Sequence, residues 1–260
     1  MKQAVNPLVS IIVPVYNERR SLHDFLPRLE SALRGWNRRT EIVFVDDASS
    51  DGSGMDLERF CAGHPGARLV RHATNQGRGK AVLTAMGRAK GDVLVTIDAD
   101  LENPPESIPP LVGGMAPDTA CVTGYRRGRP RTDLRGAASA AYNIILGMLT
   151  GQCLHDCNCG LKAYRSRDLR RPFIRSWLEK DGDYLRFVVL LFRKSNCRVT
   201  EHAIPFSPRG HGRSKYRWKR YLKAGRDLLR LTAAGMRPSA GGPPAARTCP
   251  EALDFVSDIE

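Results

Sequence analysis

Short apolar runs alternate with longer segments of helical spacing through the first hundred residues. The apolar runs have the length and β-branched content of buried strands, and they cover about 9–15, 41–45, 68–71 and 93–98. The segments with helical spacing cover about 18–34, a stretch after Ser53, and 77–89. Short strands that alternate with helices indicate a mostly parallel sheet with helices on both faces. The pattern therefore predicts an α/β fold with a Rossmann-like sheet.

The second half of the chain is less regular. It predicts strands at 120–123 and 198–206 with a further strand-helix unit between them, an arginine-rich loop at 126–135, and an uncharged helix at 136–154. The uncharged segment is long enough to cross a bilayer, but it contains Ser139, Asn143, Thr150 and Gln152. We therefore interpret it as an interfacial or packed helix.

A basic amphipathic helix is predicted at about 216–234. Its apolar positions fall on one face, and lysines and arginines occupy the remainder. Such a helix can lie in the interface of an anionic membrane, or it can dock on the domain with its basic face in solvent. Both interpretations remain open from the sequence.

The chain length favours a single domain. We predict that residues 1–236 form it, with a nucleotide-binding half at about 9–100 and an acceptor half at about 101–236. Residues 237–248 are rich in Pro, Gly and Ala and lead into an acidic end, so 237–260 is predicted to be a disordered tail.

The charge balance favours anionic partners. There are 41 Lys and Arg against 27 Asp and Glu, a net charge of +14, which suits nucleic acid, an anionic membrane or a phosphorylated substrate. Seven irregularly spaced cysteines and the lack of a basic, apolar leader before the first strand predict reduced thiols and a cytoplasmic protein.

Asp98 and Asp100 end the strand-like run at 93–100, with only Ala99 between them. Because alternate strand residues point the same way, the two carboxylates are expected on one face at a strand's carboxyl end, where open α/β sheets bind ligands. Hard oxygen ligands suit Mg²⁺ or Mn²⁺, which in turn suit a diphosphate. Taken alone, the pair could equally be a solvated strand end or the first turn of a capped helix.

Two phosphate-binding motifs are excluded. The run from Gly77 to Lys80 lacks the first Gly and the final Ser or Thr of a phosphate loop, and no G-x-G-x-x-G follows the first strand. That turn instead carries Tyr16, which could stack on a nucleobase, and Glu18, which could accept hydrogen bonds from it. A helix start with an acid that favours the helix dipole explains Glu18 equally well.

The cysteine-rich turn contains Cys153, Cys157 and Cys159, with His155 and Asp156 among them. Structural zinc sites use a second, distant pair of ligands that the sequence lacks. We therefore expect a reduced, tight turn rather than a zinc site.

Basic residues form two clusters that could clamp phosphates, because guanidinium forks match phosphate oxygens. One comprises Arg126, Arg127, Arg129, Arg131 and Arg135, and the other Arg209, Arg213 and Lys215. Solvated basic loops are the usual alternative. No helix-turn-helix, zinc finger or ribonucleoprotein pattern accompanies the clusters, which disfavours nucleic acid as a partner.

Seven segments in order resemble one enzyme family. They read V-P-V-Y-N-E, V-D-D-A-S-S-D-G-S, N-Q-G-R-G-K-A, D-A-D-L, G-Y-R, D-x-N-C-G-L-K-A-Y-R and R-G-H-G-R-S-K-Y, between about residues 9 and 223. The ordered set resembles the dolichyl- and polyprenyl-phosphate sugar synthases, inverting glycosyltransferases of family 2 with the GT-A fold. The resemblance implies that a nucleotide sugar such as GDP-mannose or UDP-glucose donates its sugar to a polyisoprenyl phosphate.

The resemblance also implies roles for individual residues. Those implied for the nucleotide pocket are Pro14, Tyr16, Glu18, Val45 and Asp47, and those implied for the diphosphate and the cation, Mg²⁺ or Mn²⁺, are Asp98, Ala99 and Asp100. Arg126, Arg209 and Lys215 match the basic residues that hold the donor diphosphate and the acceptor phosphate.

The chain departs from many relatives in two places. Glu102 stands where they have Gln, and we expect it to join Asp98 and Asp100 at the metal. Where several relatives continue into membrane helices after the region that matches Leu231, this chain has the Pro/Gly-rich segment. We therefore expect attachment to the cytoplasmic face of a membrane that is either peripheral or supplied by a partner.

The resemblance thus implies direct displacement with inversion. A lipid phosphate is already anionic, so no side chain has to remove a proton from it, and the catalytic residues are Asp98, Asp100, Arg126 and Arg209. The alternatives are a glycosyltransferase with a soluble sugar or protein acceptor, and a non-enzymatic basic protein that binds nucleic acid or membrane.

Overall fold

The computed structural model describes residues 7–128, 143–145, 148, 154–208 and 219–233, with side chains from residue 225 onward in the last segment. A seven-stranded sheet forms its centre. The strands are β1 (Val9–Val15), β2 (Thr40–Asp46), β3 (Ala67–Arg71), β4 (Val93–Thr96), β5 (Thr119–Arg127), β6 (Lys162–Arg165) and β7 (Arg198–Pro205).

Helices fill the connections between the strands. They are α1 (Arg19–Leu33), α2 (Ser53–Gly63), α3 (Arg78–Arg88), α4 (Ile108–Gly113), α5 (Ser166–Leu169), α6 (Pro172–Lys180), α7 (Val188–Lys194) and α8 (Lys219–Ala233). Two 3₁₀ segments, Pro105–Ser107 and Gly182–Phe187, precede α4 and α7.

The sheet is mostly parallel, as predicted. Its strand order is β3-β2-β1-β4-β6-β5-β7, and only β6 runs antiparallel to both of its neighbours. The carboxyl ends of the other six strands therefore lie along one edge, here called the carboxyl edge. Because β6 is reversed, its first residue, Lys162, reaches the same edge and pairs with Thr96 and Thr123.

Apolar side chains pack on both faces of the sheet, as strand alternation requires. Ile12 and Val43 face α3 and the helices of the second half, where Phe187 and Phe192 are fully buried. The alternate residues of the same strands, such as Val13 and Phe44, pack with the buried residues of α1 on the other face. The sheet is thus a rigid platform with helices on both sides, and its edge loops carry the candidate site.

Two predicted boundaries are wrong. β4 ends at Thr96, so Asp98 and Asp100 lie in the following turn and not on a continuing strand. β5 extends to Arg127, so Arg126 belongs to a strand and not to a loop. Pairing with β7 accounts for the second difference, because Arg126 is aligned with Ile204 in a parallel ladder that sequence periodicity alone does not reveal.

The last described turns of α8 dock on the domain. Leu231 is fully buried in the core and Asp227 is almost fully buried, whereas the side chains of Arg226 and Arg230 are exposed. Lys194 of α7 donates a hydrogen bond to the carbonyl of Thr232 at 3.1 Å. These residues pack on the domain with Arg226 and Arg230 outward, and the role of the helix at a membrane stays a prediction.

No described helix has both the length and the apolar character needed to cross a membrane. Most of the uncharged segment 136–154 lies outside the described residues, as does the predicted tail 237–260.

Candidate functional site

Hydrogen bonds between the first two edge loops fix the turn after β1. Asn17 has a left-handed backbone, with φ of 51°. Its N–H donates to Ser49 Oγ at 2.9 Å, and its side-chain oxygen accepts from the N–H of Ser50 at 2.8 Å. These bonds hold the neighbouring Tyr16 at the carboxyl edge with its ring partly exposed. Tyr16 is therefore placed where a planar ligand could stack on it.

Glu18 lies at the start of α1. Its N–H donates to Ser53 Oγ at 3.0 Å, and its carboxylate accepts from Ser21 Oγ at 3.0 Å. These contacts match the alternative in which Glu18 supports a helix start.

Pro14 and Val45 are aligned with each other in β1 and β2. The Val45 side chain is fully buried in the core, so any contact from this position to a ligand would come from its backbone.

Asp47 ties the second edge loop to the turn that begins α3. One carboxylate oxygen accepts from the N–H of Gln76 at 2.8 Å, and the other accepts from the N–H of Gly77 at 2.7 Å. The first oxygen also pairs with Nδ1 of His72 at 2.7 Å, and Nε2 of that ring contacts Thr84 Oγ1 at 3.0 Å. Only 3% of the Asp47 side chain is exposed. These contacts assign Asp47 a role in positioning the start of α3.

Asp98 forms an ion pair with Arg78, the first residue of α3. The distance from Arg78 Nε to Asp98 Oδ1 is 2.6 Å, and both side chains are partly exposed. A methyl group at Gly160 would overlap the Asp98 carboxylate, so this close approach requires glycine.

Asp100 is nearly buried in the turn after β4. Its Oδ1 accepts from the N–H of Glu102 at 3.1 Å, which closes a short turn around Leu101, whose φ is 64°. Ala99, between the two aspartates, packs into the core. Asp98 is therefore the more accessible of the two aspartates.

Arg126 is buried between two acids. Its guanidinium forms a bidentate pair with Asp156 at 2.6 and 3.1 Å and contacts Glu102 at 3.1 Å. Burial acts to lower the pKa of Arg126, but the hydrogen bonds and charge of Asp156 and the charge of Glu102 outweigh it, so the pKa lies above its usual range. Arg126 is thus a permanent, fixed cation beside the Asp98 and Asp100 turn.

Sequence reasoning assigned no role to Asp156 and Glu201. Glu201 of β7 accepts hydrogen bonds from the backbone N–H groups of His155 and Asp156 at 2.9 and 3.0 Å, and it contacts His155 Nδ1 at 2.9 Å. The His155 ring stacks on Tyr125 with centroids 4.5 Å apart. Glu201 therefore fixes the turn that carries Asp156. The only sequence signal was Asp156 itself, at the start of the sixth motif.

The two described cysteines of this turn, Cys157 and Cys159, have a structural role. Cys157 and Cys159 are free and buried, and Cys159 Sγ contacts Asn103 Oδ1 at 3.1 Å. Burial raises the pKa of Cys157 to about 12 and that of Cys159 to about 11. Lys162 donates to the carbonyl groups of both residues and holds the turn closed. Cys153 lies outside the described residues.

The carboxylates at this edge suit a divalent cation that is shared with a ligand. Among the described residues, no group of three or more His, Cys, Asp or Glu side chains is arranged to hold a metal ion. Mg²⁺ and similar ions are commonly bound by one or two carboxylates together with substrate phosphates. Asp98 and Asp100 could provide these carboxylates. Glu102, predicted as a third ligand, pairs with Arg126 through one carboxylate oxygen, and its role at a metal stays a prediction.

The structure thus brings together Asp98, Asp100, Glu102 and Arg126 at the carboxyl edge, with Tyr16 on the neighbouring turn. Arg209 and Lys215 lie outside the described residues, so their predicted positions stay predictions.

Comparison with known proteins identifies the family. The model of the family "Glycosyl transferase family 2" matches residues 10–173. The chain is 34% identical over 233 residues to an undecaprenyl-phosphate 4-deoxy-4-formamido-L-arabinose transferase of Pseudomonas paraeruginosa, which covers 88% of this chain and 66% of that protein. The corresponding transferase of Edwardsiella ictaluri is 34% identical over 232 residues, with 88% and 69% covered. The chain thus spans about two thirds of the length of these relatives.

Solved structures support the fold. A mannosyltransferase from Pyrobaculum calidifontis, in complex with GDP-Man and Mn²⁺, aligns with a TM-score of 0.62 at 20% identity and covers 92% of this chain and 67% of that one. The predicted GT-A fold and glycosyltransferase class are therefore confirmed. The chain belongs to glycosyl transferase family 2.

Proposed function

We propose that this protein transfers a sugar from a nucleotide sugar to a polyisoprenyl phosphate, with inversion at the anomeric carbon. The observation that carries the proposal is the position of Asp98 and Asp100 in the turn after β4, where the buried Arg126 contacts Glu102 of the same turn, in a chain 34% identical to undecaprenyl-phosphate sugar transferases. We further propose a donor of the GDP-mannose or UDP-glucose type.

The donor would lie across the turns after β1 and β4. Tyr16 offers a partly exposed ring for the nucleobase, and Glu18 and the backbone near Val45 flank it. Asp47 would act indirectly, because its carboxylate is already hydrogen bonded to the turn before α3. The diphosphate would then lie near Asp98 and Asp100.

Asp98 and Asp100 would hold the Mg²⁺ or Mn²⁺ ion, which supplies Lewis-acid stabilisation to a diphosphate leaving group. A buried arginine beside these acids favours the same step, because a preorganised cation in a site of low polarity stabilises developing negative charge. Arg126 is held in place by Asp156 and needs no rearrangement.

The acceptor phosphate would attack without a general base. It carries negative charge at neutral pH, so the main task of the site is to let two anions approach each other. Arg126 provides one fixed positive charge for this purpose, and we propose Arg209 and Lys215 as the acceptor's other cationic partners.

Exposed apolar side chains favour a lipid acceptor over a soluble one. Ile144, Ile145 and Met148 are exposed, and they follow Asn143, which is hydrogen bonded to the backbone of His155 and Cys157 beside the site. An apolar surface next to a phosphate site suits a phosphorylated isoprenoid in a membrane. We therefore propose action at the cytoplasmic face of a membrane, through the domain at 1–236.

The test is transfer of label into lipid. The protein is incubated with Mn²⁺, polyprenyl phosphate and each of several radiolabelled nucleotide sugars, and the organic extract is counted. We expect label with one donor, its loss on addition of EDTA, and a decrease of about 10²- to 10³-fold for Asp100→Ala. Asp118→Ala, which removes an exposed acid at the opposite edge of the sheet, serves as the control with unchanged transfer.

Transfer to a soluble sugar or protein, with none to lipid, would overturn the proposal. So would full activity of Asp100→Ala.

A further inference from the structure

The contact between Arg78 and Asp98 joins a cation to one of the two acids proposed to hold a divalent cation. Arg78 and a divalent cation compete for the Asp98 carboxylate, because the attraction of each depends on the same negative charge. The Arg78 side chain is 44% exposed and the Asp98 side chain 27% exposed, so the pair is open to solvent and ions. Exposed pairs contribute little stability and are readily exchanged.

The backbone on both sides of Arg78 is fixed. The N–H groups of Gln76 and Gly77 are bound by Asp47, and Gly79 packs so closely on the carbonyl of Gly182 that neither glycine could carry a methyl group. The Cα of Arg78 is therefore held beside the carboxyl edge, whichever group its guanidinium contacts. Released from Asp98, it would still lie within the site.

A guanidinium is suited to bind a diphosphate once it is free. Its planar donors match phosphate oxygens, and it remains charged at all physiological pH values. The first turn of α3 also contributes the positive end of a helix dipole.

We propose that Arg78 is a switching residue of the donor site: it neutralises Asp98 while the site is empty, and moves to the donor diphosphate when a divalent cation takes its place on Asp98. This inference rests on the proposed function, since it assigns a further residue to the same donor. Arg78 thereby has two opposite effects, competing with the metal ion and assisting the diphosphate.

Because Arg78 is expected to weaken metal binding and strengthen diphosphate binding, the proposal can be tested by binding measurements without following sugar transfer. Binding of Mn²⁺ alone is measured by electron paramagnetic resonance of the free ion. Binding of UDP and of GDP, each with Mn²⁺, is measured by calorimetry. We expect Arg78→Ala to bind Mn²⁺ alone about two- to fivefold more tightly, the change that corresponds to losing an exposed ion pair. We expect the same variant to bind the preferred nucleoside diphosphate about tenfold more weakly.

Two variants separate the switch from a general charge effect. Lys80→Ala removes an exposed positive charge from the same helical turn, and it should change both affinities less than twofold. Arg78→Lys keeps the charge but not the planar fork, so it should restore most of the competition with Mn²⁺ and only part of the diphosphate affinity. Circular dichroism should show that all three variants fold as the wild type does.

Unchanged or weaker binding of Mn²⁺ alone by Arg78→Ala would overturn the proposal, as would equal effects of Arg78→Ala and Lys80→Ala. Wild-type protein that binds no Mn²⁺ would overturn it as well. The lipid-label assay then shows separately whether the proposed function survives, since transfer can be measured without reference to Arg78.

Discussion

Two arginine–aspartate pairs at the carboxyl edge have the same shortest distance and different surroundings. Arg78–Asp98 and Arg126–Asp156 each have an N–O distance of 2.6 Å. The first is a partly exposed contact, whereas the second is bidentate and more than nine-tenths buried. Distance alone therefore does not tell what an ion pair does. The exposed pair can exchange partners, and the buried pair fixes a charge.

The strongest test of this difference is to remove the acid from each pair. Asp156→Ala leaves a buried guanidinium with Glu102 as its remaining carboxylate partner among the described residues, and it should lower the free energy of unfolding by about 3 to 5 kcal/mol. Asp98→Ala should lower it by about 1 kcal/mol or less, because that pair is partly exposed. Urea unfolding followed by circular dichroism measures both values.

Equal losses of stability in the two variants would contradict the comparison. Asp156→Asn, which retains hydrogen-bonding capacity, should fall between Asp156→Ala and the wild type.

A smaller change tests whether Asp98 must keep its position. Gly160→Ala places a methyl group against the Asp98 carboxylate, so the side chain must move from its present contact. We expect the rate of sugar transfer to fall by about 10- to 100-fold with little loss of stability. Misplacement of a catalytic group by about 1 Å is enough for such an effect. Steady-state transfer to lipid and urea unfolding provide the two readings.

Gly87→Ala is the matched control for this experiment. A methyl group there meets no atom within 4 Å, and the substitution lies in α3, so both activity and fold should be retained. If Gly160→Ala instead unfolds the protein as strongly as Asp156→Ala, Asp98 belongs to the rigid region.

The smallest expected effect concerns the thiols beside the buried pair. With pKa values of about 12 and 11, Cys157 and Cys159 should be about 0.1% ionised or less at pH 8 and should not react with Ellman's reagent in the native protein. In guanidinium chloride all seven cysteines should react. Rapid reaction of either thiol in the native protein would show that the Arg126 region opens easily.

The fold could be largely predicted from the sequence, because hydrophobic periodicity and burial agree through the first half. The strand at 9–15 and the helix that became α3 lie where the pattern placed them. The end of β4 was missed because Ile97 and Ala99 continue the apolar pattern while packing into the core from a turn. Hydrophobic periodicity reflects which side chains are buried, and side chains in a turn can be buried as well as those in a strand.

The site was only partly accessible to sequence reasoning. Motifs indicated Asp98, Asp100 and Arg126, but their partners come from distant segments: Arg78 is 20 residues from Asp98, and Asp156 is 30 residues from Arg126. The third predicted metal ligand, Glu102, pairs with Arg126, which lies on a strand 24 residues further along the chain. Such partnerships depend on tertiary packing, which no local pattern encodes.

The reversed direction of β6 brings two kinds of segment to the carboxyl edge. Parallel strands present the turns that leave the sheet, whereas β6 presents the segment that enters it, residues 154–161. The turns proposed for the donor are followed by helices locked into the sheet, but the entering segment is anchored by side chains such as Glu201 and Lys162. Because Gly160 of this segment lies against Asp98 and Asp156 holds Arg126, a change in its length or composition would displace the residues proposed for the donor.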